Sequence, residues 1–326
     1  MRKILLIILS LAFVMSCNDD KKTTKNKPLF SSSGNINSVS VIISNEMWKG
    51  SVGEAIRGVL TTIVSGLPQD EPSHKINQIP PNVFSGFVTK NRTILKIEMG
   101  KAPAIIIAED VYARPQKVVV IQGQTKEDII NLMNDNSEKI LNEFKKEELK
   151  EQQRRIHKSL HKNTSIKEKL GLSISFPSAY RIAKEEDNFF WLRKDIRTGD
   201  MNIMIYELPF DALKRSDSTV GSIIKLRDSI GKIHIPGAIE GSYMITEEAY
   251  APYLFETIVD NRPTIETKGT WEVKNAFMAG PFIHYAIEDK INNRWVVLEG
   301  FTFAPSVAKR NNMFELEAII KSVKID

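Results

Sequence analysis

The stretch FIHYAIEDKINNRWVVLEGFTF, residues 282–303, decides the fold. Aromatic and β-branched residues fill Phe282–Glu288 and Arg294–Phe303, and the polar run Lys290–Asn293 separates them, the pattern of an antiparallel hairpin. A turn there sets His284 opposite Glu299, Phe282 opposite Phe301 and Ala286 opposite Val297. After the hairpin, Val307–Val323 reads as a closing helix with Met313, Leu316 and Ile320 turned inward. Before it, Leu172, Ile174 and Phe176 alternate, and Phe189–Arg193, Asn202–Glu207, Tyr243–Thr246 and Tyr253–Ile258 supply further strands. Thr219–Ile230 is a helix with an apolar stripe. The order predicts an α+β domain, an antiparallel sheet covered by helices.

The region from residue 38 to 156 predicts a second α/β unit. Val39–Ile43 is a strand, and apolar residues from Val52 to Leu67 recur at helical spacing until Pro68 ends the run. Gln69–Asn82, interrupted by Pro72, Pro80 and Pro81, reads as an irregular loop long enough to serve as a contact segment. Phe84–Val88, Thr93–Met99, Pro103–Ala108 and Lys117–Ile121 follow as strands or apolar runs. A helix from about Thr125, its N-cap, to Ile156 carries Ile129, Met133, Ile140 and Phe144 on one face, with a charged second half expected in solvent. The fold class is therefore α+β: two α/β domains with largely antiparallel sheets, residues 38–156 and 172–326, joined by a basic linker at 157–171.

The other end of the chain predicts where the protein sits. MRKILLIILSLAFVMS, residues 1–16, has a short basic start and an apolar core too short for an ordinary membrane span, the form of a secretory signal. Val14-Met-Ser-Cys17 looks like the lipobox of bacterial lipoproteins, which makes Cys17 the lipidated first residue, carrying diacylglycerol and a further acyl chain such as palmitate. The single cysteine excludes an intramolecular disulfide framework and any thiolate metal cluster. Residues 17–37 read as a flexible tether. Asp19 and Asp20 just after the cysteine are consistent either with a surface-export signal or with a solvated spacer. The expected location is the outer membrane, lipid-anchored, with either leaflet open. At 42% hydrophobic residues the chain is too apolar to be unstructured, and a net charge of +5 gives no reason to invoke nucleic acid.

Chemistry is sparse. GxSxG, HExxH, Walker A and GxGxxG patterns are absent. His284 and Glu299 could form an acid–base pair or a satisfied polar pair within the sheet. Trp271, Trp295 and Arg294 could face a glycan or protein if left exposed, although aromatic residues there are mostly core. His157 and His161 share helical spacing without completing a metal site, and Glu185, Glu186 and Asp187 are adjacent carboxylates better read as solvated. No cofactor or metal is expected. Lys309 and Arg310 at a helix start call for a carboxylate or an anionic partner.

Gly269-Thr-Trp-Glu-Val, Phe277-Met-Ala-Gly-Pro-Phe, Arg294-Trp-Val-Val-Leu-Glu-Gly-Phe, Ala304-Pro and Lys309-Arg followed by Glu315-Leu-Glu-Ala-Ile-Ile resemble an uncharacterised outer-membrane lipoprotein family of Bacteroidota. The resemblance implies an envelope lipoprotein and carries no catalytic residues with it. The element order of the C-terminal domain is loosely similar to the PsbP and Mog1 type of domain, which implies an accessory or binding role. The reading is a non-catalytic envelope lipoprotein that works as an accessory or scaffold subunit through protein contacts, held to the membrane by its lipid. The alternatives are a glycan or small-ligand binder and, less favoured, a hydrolase using His284 and Glu299.

Overall fold

A computed structural model describes residues 29–326 as an α+β protein built on two sheets. Cys17, the signal and the first part of the tether lie outside the described residues.

The N-terminal region runs β1 (Phe30–Ser31), β2 (Ser38–Ile42), α1 (Asn45–Lys49), α2 (Ser51–Leu60), β3 (Lys75–Ile79), β4 (Thr93–Met99), β5 (Ala104–Glu109), β6 (Ala113–Arg114) and β7 (Lys117–Gly123); β1 and β6 pair only with each other, and the other strands form the first sheet. Its five strands lie in the order β3-β2-β4-β7-β5, the first four parallel and β5 antiparallel to β7. Strand alternation gives it two apolar faces, as parallel sheets require. Val39, Val41, Leu95, Val119 and Ile121 pack under α2 and under α3 (Lys126–Asp135) and α4 (Ser137–Ile156), while Ile42, Ile94 and Val118 face the other way. Thr125 caps α3 through a reciprocal bond with Asp128.

Three expectations change here. The helix after β2 stops at Leu60 rather than Leu67, because Thr61–Leu67 turn away to meet the second sheet. The proline-rich loop holds an edge strand, β3, whose sequence KINQI hides its parallel pairing with β2. The charged half of α4 is solvated on one face only, with Lys146, Lys150, Arg154 and Arg155 exposed and three acids turned inward. Arg92 reaches it from the sheet and holds Glu148 at 3.0 Å and Glu151 at 3.7 Å, so both are buried as ion pairs, while Glu147 beside them is buried with Oε1 unpartnered.

After α5 (Ser165–Leu170) come β8 (Leu172–Ser173), β9 (Arg181–Glu185), β10 (Phe189–Ile196), β11 (Gly199–Pro209), α6 (Thr219–His234), β12 (Met244–Thr246), β13 (Tyr253–Val259), β14 (Arg262–Val273), β15 (Ala279–Asp289), β16 (Arg294–Phe303), α7 (Arg310–Ile320) and β17 (Lys324–Ile325). The large sheet runs β12-β14-β15-β16-β11-β10-β9, antiparallel throughout, with β13 on the remaining length of β14. The β15–β16 register is the one expected: His284 faces Glu299, Phe282 faces Phe301 and Ala286 faces Val297. Residues alternating along each strand serve two cores. Ile283, Tyr285, Val296 and Leu298 pack against α7, whereas Phe282, Ala286, Val297 and Phe301 pack beneath α6.

The two sheets meet along a seam. Lys145 of α4 pairs with Glu317 of α7 at 2.7 Å, Gln153 donates to the Ala318 carbonyl at 3.1 Å, and Leu67 and Leu149 join the apolar core below α7. No described helix is long and apolar enough to cross a membrane.

Candidate functional site

The His284–Glu299 constellation forms, but with a third member that changes its chemistry. Arg227 stands on the inward stripe Thr219, Ile223, Arg227, Gly231 of α6, a spacing of four that aims each side chain at the sheet. Its Nε donates to both Glu299 oxygens, at 2.9 and 3.0 Å, and another guanidinium nitrogen donates to Thr246 Oγ1 at 3.0 Å. The guanidinium lies 3.9 Å from the centre of the Phe282 ring, and the ion pair is almost wholly inaccessible to solvent. Burial pushes the Glu299 carboxyl up and the Arg227 charge opposes that rise. His284 has no hydrogen-bond partner for Nδ1, and burial followed by the nearby Arg227 charge lowers its pKa to about 3. Neither reading of the pair holds as a direct His–carboxylate contact: Glu299 is held by Arg227, and His284 is neutral at physiological pH. Arg227 was legible only as a basic residue on an apolar stripe, a pattern that signals a buried ion pair.

The aromatic candidates are also structural. Trp271 is 2% exposed and packs edge-on to Phe301; Trp295 is 2% exposed, stacks on Phe210 and donates to its carbonyl at 2.9 Å. Arg294 is held by Asp289 at 2.8 Å and by Glu207. None of the three offers a free face to a glycan. Glu185 and Asp187 pair with Lys169, Glu186 pairs with Lys184, and His161 stacks on Phe176. Among the described residues no cluster of three or more metal-ligating side chains occurs.

Two features have the form of binding sites. The first is a cavity of about 200 Å³ at the seam, walled by the Thr62–Leu67 segment, α4, β14, β15 and α7. Leu141, Ile283, Met313 and Phe314 line it, with Lys145, Lys268, Arg310 and Glu317 among its charged residues. Gly66 closes one side at φ +82°; a Cβ there would lie 2.8 Å from Lys268 Cβ, so the wall rests directly on β14. The start of α7 is already occupied: Glu71 accepts from the backbone amides of Lys309 and Arg310 at 2.6 and 2.9 Å. The anion called for by Lys309 and Arg310 is thus supplied by the proline-rich loop of the first sheet.

The second is the outer edge of β13. No strand pairs with it among the described residues, yet Tyr253, Phe255 and Ile258 are 56%, 40% and 73% exposed. Two other edges are blunted by polar residues, β9 with Arg181, Lys184 and Glu185 and β3 with Lys75, Asn77 and Gln78, whereas the β5 edge, AIIIAE, leaves Ile106 45% exposed but carries no exposed aromatic residue.

Known proteins match the chain in two pieces. Residues 32–157 match a family described as a domain of unknown function (DUF8532), and no curated protein matches. Among solved structures, LpqN of Mycobacterium tuberculosis, involved in cell envelope biogenesis, is 9% identical over 47% of this chain and 82% of its own, with a TM-score of 0.28. The Ran-binding protein Mog1p of Saccharomyces cerevisiae is 8% identical over 47% of this chain and 89% of its own, with a TM-score of 0.27. Both similarities are weak and carry no argument about function. The large sheet, with α6 and α7 on its faces, falls within the longer match, residues 159–322, and by that match the chain belongs to the family described as a domain of unknown function (DUF4837).

Proposed function

We propose that the protein is a non-catalytic, lipid-anchored accessory subunit of the bacterial outer membrane, of the Bacteroidota lipoprotein type, that takes an extended segment of a partner protein onto the edge of β13. The observation that carries the reading is the seven-residue β13 edge, where free backbone donors and acceptors coincide with exposed Tyr253, Phe255 and Ile258. An apolar, unpaired edge is an aggregation hazard that soluble proteins usually blunt, and pairing with a partner strand removes it. Glu299 is paired internally with Arg227, and burial followed by the Arg227 charge keeps His284 neutral; this closed arrangement supports a binding role over hydrolysis. The lipobox at Cys17 supports the anchor.

A photo-crosslinking amino acid at position 258 of the anchored protein tests the docking edge. The expected result is one discrete partner adduct, lost with Tyr253→Asp and Phe255→Asp together and retained with Ile106→Asp on the β5 edge. An adduct indifferent to the β13 changes, or none at all, overturns the proposal. Cys17→Ser is expected to release the chain from the membrane fraction; retention there refutes the anchor.

A further inference from the structure

We propose that the seam cavity binds a medium-chain fatty-acid anion, its chain among Leu141, Ile283 and Met313 and its carboxylate on Arg310. This site is separate from the β13 edge and stands whether or not that edge docks a partner. Volume selects the chain: at about 200 Å³ the cavity exceeds the ~150 Å³ apolar void that takes up one benzene ring, and by the same scaling it holds roughly eight carbons. Charge selects the head. The lining carries three cations, Lys145, Lys268 and Arg310, against the single carboxylate of Glu317. Lys145 is held by Glu317 at 2.7 Å and Lys268 by Glu266 at 2.7 Å.

Arg310 differs from both. Among the described residues its guanidinium makes no ion pair and donates only to Asn311 Oδ1 and the Pro72 carbonyl. Both carboxylate oxygens of Glu71 are bound to backbone amides, those of Lys309 and Arg310, rather than to the guanidinium. Burial lowers the pKa of Arg310, and the Glu71 charge offsets only part of that lowering. His74 beside it adds no charge, because burial and then Arg310 lower its pKa to about 4. A carboxylate at the cavity mouth would give Arg310 the two-pronged partner its planar head favours.

Met313 provides a local probe. In the full chain held in lipid nanodiscs and labelled with [13C-methyl]methionine, octanoate is expected to shift the Met313 resonance saturably. Octan-1-ol, which has the chain without the charge, should need at least a tenfold higher concentration. Arg310→Gln should bring the two ligands to the same affinity, and Arg310→Lys should retain the preference for octanoate. Ile63→Trp, at a half-exposed position on the wall, should abolish both shifts while leaving the fold intact. A Met313 resonance unmoved by octanoate overturns the proposal. So does octan-1-ol acting as well as octanoate on the unmodified chain, or octanoate binding undiminished in Ile63→Trp.

Discussion

Arg227 and Glu299 set the terms for the core beneath α6. Their charges are buried and matched, so losing one strands the other; Arg227→Met should destabilise the fold by about 3–5 kcal/mol. The combined change Arg227→Met with Glu299→Leu should recover most of that loss, because an apolar pair removes both desolvation penalties. Denaturant unfolding of the two variants measures the difference. Buried histidines predict acid sensitivity. The folded pKa values of His284 and His74, about 3 and about 4, lie below an unfolded value near 6.5, so only the unfolded chain takes up these protons as the pH falls. Stability from each is fully present above pH 6.5 and should fall by about 3 kcal/mol between pH 6.5 and 4.5. His284→Leu should remove about half of that slope in unfolding curves collected across the window. The opposition of His284 and Glu299 was readable because alternation along two strands fixes it; their lack of a mutual bond was not, since it depends on a helix some seventy positions away in sequence.

Helix α7 begins on a carboxylate supplied by the other sheet. Glu71→Ala removes two charge-assisted bonds and a favourable charge at the helix start, and should cost about 1–2 kcal/mol. Faster amide exchange confined first to residues 309–314 would locate the loss; unchanged exchange there would contradict the capping role. At this scale the sequence was most legible where apolar and aromatic residues ran nearly unbroken because both faces are covered, as in β10, β11, β15 and β16. It was least legible in β14, which was not anticipated at all. That strand reads RPTIETKGTWEV, and its polar residues mask the strand because Thr264, Glu266 and Thr267 are themselves buried. The burial of the α4 acids was hidden for a related reason: the cation that draws them inward, Arg92, lies on a different element.

Across the whole molecule, the seam joins the two sheets through Lys145–Glu317, Gln153–Ala318, Glu71–Arg310 and the apolar contacts of Leu67 and Leu149. Such an interface predicts one cooperative transition. Trp48 reports on the first sheet, and Trp191, Trp271 and Trp295 report on the second. Fluorescence of Trp48→Phe should therefore follow the same denaturant midpoint as a variant retaining Trp48 alone, and Lys145→Met should separate the two curves. Sequence periodicity could not reveal the seam, because its members are isolated residues on elements far apart in the chain. The Glu71 contact also orders events in time. As the chain is synthesised, the first sheet can close early, but Glu71 must wait for α7, which follows it by more than two hundred residues. A polypeptide interrupted before residue 309 would present an unmatched carboxylate and an open apolar trough, marks by which a protease would distinguish unfinished copies from folded ones.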